Sequence, residues 1–302
     1  MNEERRSRAS SSLRQFFDDQ IEHLQKLVDG LGGPSPEEAR RTEEDRQIVE
    51  SFVDASNRKI RAVNGYSQKL RPHVRQLYNH VLEVADAIPA PIELSATAFG
   101  RDPLVNALFA DSSEIEGLFR GGPEADSFCR AYHRLQVPVM YGLMTAAKTV
   151  KRTLGVGMQG DVVVHDVPQD AVNFSQHKIH APCASATELH TALRHYLFNR
   201  VVESIRLDLA ARMNANPFAA VAASYETRVN SLANPDVYVK ALLEYLEEPA
   251  KLLSIEQSHL KLSKLGIKLA EEDRQCANEF DLHELAWSNH AREVVALIAY
   301  PR

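Results

Sequence analysis

The chain has 302 residues, 44% of them apolar and 25% charged, with only three cysteines, which excludes a disordered, collagen-like or disulfide-stapled protein. Its 35 Lys and Arg against 41 Asp and Glu leave a net charge of −6, so a nucleic acid is not the expected partner, because phosphate binding needs a concentrated positive field. No apolar run reaches the roughly 18 residues of a transmembrane segment and the charged start MNEERRSRASSS lacks a signal core, so a cytoplasmic setting is expected.

The first predicted element carries Phe17, Ile21, Leu24, Val28 and Leu31 at alternating spacings of four and three and ends at Gly30, Gly32, Gly33 and Pro34. A second helix opens at Ser35-Pro36-Glu37-Glu38, where an N-cap serine, a proline at the first helical position and a capping-box glutamate coincide. Its apolar ladder includes Val49, Val53, Ile60, Val63, Leu70, Val74, Leu77 and Val81, with Ser56 and Ser67 in the same register, and runs to Pro89. That 4-3 pattern is the seam of a coiled coil. Pro72 is expected to kink or break this helix. The two helices make a hairpin over residues 1–90 in which the first covers about half of the second, leaving the rest of the seam for the chain's own later helices or for a partner.

Residues 91–302 read as a body of helices and antiparallel sheet. Ser113 with Glu116 predicts a short helix, and Pro123 to Ala147 a longer one. A β-meander is expected over 149–180, with turns at Gln159-Gly160-Asp161 and Pro168-Gln169-Asp170. Its register puts Leu154, Val156, Met158, Val162, Val164, Val172 and Phe174 on one buried face and His165, Asn173 and His177 on a wet face, with Asp161 near the strand end. Ser185 and Glu188 form a second capping box ahead of a helix through Leu209, another helix follows Asn234-Pro235, and strands run over Ile255–Leu262 and through a C-terminal hairpin at 279–300. The predicted class is α+β, a long coiled-coil-like helical hairpin joined to a helix and antiparallel-sheet body.

The motifs exclude more than they assign. Gly155-Val156-Gly157-Met158-Gln159-Gly160 fits G-x-G-x-x-G, but a strand follows it where a dinucleotide site needs a helix. The chain also lacks H-R-D and D-F-G, which excludes the protein-kinase reading of the same string. Five of the 12 histidines, His165, His177, His180, His190 and His195, fall within 31 residues, yet without the spacing of a metal site. Cys183, just before the Ser185 cap and near His180, is the one thiol placed where a helix start lowers a pKa. No catalytic set, cofactor or metal is therefore assigned. The expected function is non-enzymatic interaction or oligomerisation through the heptad seam, with a protein partner or a second copy. The alternative is an enzyme or a small-ligand or metal-binding protein using Asp161, His165, Asn173 and His177.

Overall fold

A computed structural model describes residues 35–121, 137–159, 162–215, 235–270 and 277–301. The predicted helix at 17–31, Asp161, Cys129, Cys276 and the interruption at Pro217 lie outside the described residues.

Helix α1 (Pro36–Ser56) starts where its sequence demands: Ser35 Oγ accepts from the Glu38 amide at 3.2 Å while the Glu38 carboxylate accepts from the Ser35 amide at 2.8 Å. The expected single long helix is two. Asn57 ends α1 and caps a 3₁₀ turn (Arg58–Ala62), and Gly65, at φ +69°, leads into α2 (Tyr66–Asp86). Pro72 sits inside α2 without ending it, on the exposed face where the carbonyl it leaves unbonded meets water. The ion pair Arg75–Asp45 (2.8 Å) then joins α2 to α1, and Arg61–Glu50 (2.6 Å) ties the 3₁₀ turn back onto α1, so the two helices run antiparallel.

The eight seam residues, from Val49 to Val81, are at most 3% exposed, because α6 (Ala186–Ala215) and α7 (Pro235–Leu246) of the same chain cover them. The helical hairpin is thus α1 against α2, its apolar side closed by two further helices, rather than an open coiled coil. The 4-3 spacing ran through Ile60 and Val63 because both turn residues point into that core.

The sheet comprises β1 (Ile92–Glu93), β2 (Val139–Gln159), β3 (Val162–Cys183), β4 (Leu253–Ser263), β5 (Ala277–Trp287) and β6 (Arg292–Pro301). Its order is β3-β2-β6-β5-β4, all antiparallel, with β1 parallel to part of β6. The helices α1, α2, α6 and α7 pack on one face, against Leu143, Leu285, Trp287, Val295 and Leu297. On the other face Met144, Val172, Phe174, Leu262, Leu282 and Ala296 meet the short helices α3 (Ala96–Phe99), α4 (Pro103–Leu108) and α5 (Ser112–Gly121). Residues from opposite edges of the sheet share this second cluster because the sheet curls until its edges touch: Ile267 pairs with Ala171, the Val172 amide donates to Gly266 O and the Lys268 amide to Asp170 O, each at 2.8 Å. A barrel-like layer results, with α4 and α5 against its inner surface.

Three sequence expectations are corrected here. Residues 139–147, read as helix, are strand, because Leu143 packs on one face and Met140, Met144 and Ala146 on the other, which erases the alternation of a half-wet strand. The meander is one long hairpin; Pro168-Gln169-Asp170 lies inside β3, where an edge strand tolerates a proline. The short helix after Phe109 is capped by Asp111, whose Oδ1 accepts from the Ser113 and Glu114 amides at 2.7 and 3.1 Å, rather than by Ser113. The α+β class and the C-terminal hairpin around Ser288-Asn289-His290 stand as expected, and among the described residues no helix is long and apolar enough to cross a membrane.

Candidate functional site

Strand β2 leaves β6 after Ala146, which pairs with Val294, but continues for 13 more residues with β3 as its only partner. The hairpin therefore projects as a two-stranded arm about 40 Å long at 3.3 Å per residue. Its base is braced by the Lys148–Glu284 ion pair and by the contacts of β3 with Gly266 and Lys268. Beyond Asp170 nothing else touches β3 among the ladders of the described residues.

On the arm, Val150, Leu154 and Val156 recur every second or fourth residue of β2 and so share one face, the continuation of the sheet's inner surface. Val163 joins them from β3, since it pairs with Met158 of the same parity. All four are more than half exposed: 54% for Val150, 66% for Leu154, 56% for Val156 and 55% for Val163. The period-2 reading put Leu154 and Val156 on one face correctly, but that face is open rather than buried. A register shift between Gly155 and Gly157, with Asp166 at φ +60°, bulges β3 opposite Val156. Gly155 is glycine for a packing reason: a Cβ there would lie 2.1 Å from Gln169 Oε1, whose side chain crosses it to donate to Val156 O at 3.1 Å. This geometry, and no phosphate loop, accounts for that glycine of the G-x-G string.

The predicted ligand quartet does not assemble. His165 is exposed in the arm's bulge, on the order of 40 Å along the strand from His177. His177 stacks on Phe109 at 4.6 Å, and its burial holds the imidazole pKa below the ordinary value, against the opposing pull of Glu114 and the Leu108 carbonyl. Asn173 alone borders a cavity, between β3 and α4. His180 lies on the helix-covered face, 3.2 Å from Thr145 Oγ1 and stacked on Tyr196, while His190 and His195 are exposed on α6. Among the described residues no three His, Cys, Asp or Glu side chains converge as metal ligands. Cys183 is corrected as a nucleophile candidate: it is buried, which pushes its thiol up to about 11, and its Sγ donates to Ser185 O at 3.4 Å.

Comparison with protein-family models, with curated proteins and with solved structures returns no match.

Proposed function

We propose that the protein acts through protein–protein contact, that the inner face of the β2–β3 arm is its docking surface, and that the surface is filled by the same arm of a second copy. The observation that carries this reading is the row of four aliphatic side chains, each more than half exposed, on a ribbon with no other layer of the described residues against it. An isolated two-stranded ribbon is marginal in water, and such an apolar strip is a liability unless something covers it. Charge favours a copy of itself over a nucleic acid or a strongly charged protein. Between residues 147 and 175 the arm carries Lys148, Lys151 and Arg152 against Asp161, Asp166 and Asp170, so it is neutral and meets its own copy without repulsion.

Completing the burial of a half-exposed Val or Leu is worth roughly 1 kcal/mol, so eight such side chains across a two-fold contact supply about 8 kcal/mol. Before the cost of association is subtracted that figure corresponds to about a micromolar dissociation constant, so the contact is micromolar at the tightest and not nanomolar. Sedimentation equilibrium between about 1 and 300 µM tests it. The wild-type mass should rise from one chain toward two across that range, and the double variant Leu154→Lys/Val156→Lys, altered only at exposed positions, should stay at one chain. A wild-type protein that remains monomeric throughout, or a double variant that dimerises as well as the wild type, refutes the proposal.

A further inference from the structure

A second site lies where the curled sheet closes. Between α4, β3 and the turn after β4 is a cavity of about 500 Å³. The buried rings of Phe109 and Phe174 form its apolar wall, and the stack of His177 behind Phe109 fixes the orientation of that ring. Its polar side is unevenly satisfied. Asn278 donates to Asn106 Oδ1 at 2.8 Å, and Asn106 in turn donates to Phe99 O at 3.0 Å, which locks both amides while leaving the Asn278 Oδ1 lone pairs facing no donor among the described residues. Asn173 borders the rim from β3, but strand alternation turns its side chain to the exposed face, opposite Val172 and Phe174. Among the described residues Lys264 is the only charged one of the lining, and no carboxylate of the lining stands beside it.

We infer that this cavity binds a small organic monoanion with an aromatic or short aliphatic body. The volume is in the range of ligand pockets, with room for about three groups the size of benzene, for which a 150 Å³ cavity suffices. The body lies against Phe109 and Phe174, the Asn278 amide fixes a polar atom, and the anionic head faces Lys264 at the rim. A cation is disfavoured, since among the described residues the lining offers it no counter-charge.

The test uses the full chain and three probes of one shape: 4-phenylbutyrate, its primary amide, and 4-phenylbutylamine, titrated calorimetrically and by ligand-observed NMR. The carboxylate should bind saturably at a single site, the amide about threefold more weakly, and the amine not measurably. Lys264→Glu should weaken the carboxylate about five- to tenfold and leave the amide unchanged. Asn278→Asp, an isosteric change that puts a negative charge beside the ligand, should weaken the carboxylate further than the amide while a thermal melt shows the fold intact. Leu154→Lys/Val156→Lys should bind like the wild type, which separates this site from the arm. Equal binding of all three probes, carboxylate binding unchanged by Asn278→Asp, or no saturable binding of the carboxylate would overturn the inference.

Discussion

The ion pair at the base of the arm allows a quantitative test of how the arm is anchored. Lys148 reaches Glu284 on the inner face of β5, where the carboxylate is flanked along the sheet by Glu256 and Val294 and is only 8% exposed. Replacing Lys148 with Met leaves that carboxylate buried without its cation. Removing one partner of a buried pair costs about 3–5 kcal/mol, and because Lys148 is itself 24% exposed the lower end, about 3 kcal/mol, applies. The reverse change is cheaper. In Glu284→Leu the lysine stem can swing its ammonium to water, so about 1 kcal/mol is expected. The double variant Lys148→Met/Glu284→Leu replaces the pair with apolar contact and should also lie within about 1 kcal/mol of the wild type. Urea unfolding followed by circular dichroism and by the fluorescence of the single tryptophan, the buried Trp287, measures all four proteins. If the two single losses are equal and simply add in the double variant, the pair carries no coupling and the reasoning is wrong.

Three further outcomes follow from single positions. Gly266 has φ +75°, and a Cβ there would sit 2.7 Å from Val172 O; Gly266→Ala should therefore cost about 2 kcal/mol and raise amide exchange at Val172 and Lys268, whereas Leu265→Ala, at an 88% exposed neighbour, should change stability by less than about 0.5 kcal/mol. Burial lowers the His177 pKa in the folded state, so the unfolded chain binds the extra proton first. The stability this residue contributes is full above about pH 6.5 and is lost as pH falls below it, and in His177→Phe the drop in melting temperature between pH 7.5 and 5.5 should shrink. With its thiol held at about 11, Cys183 should resist alkylation at pH 8 in the folded protein and react on unfolding, as peptide mapping would show; fast native labelling at that residue would contradict its burial.

What the sequence made legible was local. The capping box at Ser35 with Glu38 is complete within four residues and appears as expected; at Ser185 the hydroxyl accepts from the Glu188 amide, but the Glu188 carboxylate accepts from the Ala184 amide, one residue before the cap. The heptad run misled because spacing reports which residues are buried, not the backbone that carries them: Ile60 and Val63 keep the rhythm from a turn. Pro168 was mistaken for a turn because nothing local shows that β3 lies at an edge. The alternation at Leu154 and Val156 sorted side chains by face, but whether a face is covered depends on elements distant in the chain, and among the described residues none covers it. Asn173 is the one proposed ligand residue that borders the cavity. Its companions come from α4 and from the β4 turn and β5, some 65 to 105 positions away, so no motif could have joined them.

The most direct measurement of the central claim is amide hydrogen exchange along the arm at low and high protein concentration. If two copies meet through this face, exchange at residues 150–156 and 163 should slow as concentration passes from about 1 to 300 µM, while the α1–α2 hairpin exchanges at the same rate throughout. A mass that doubles with no change in the arm's exchange would place the interface elsewhere and contradict the account.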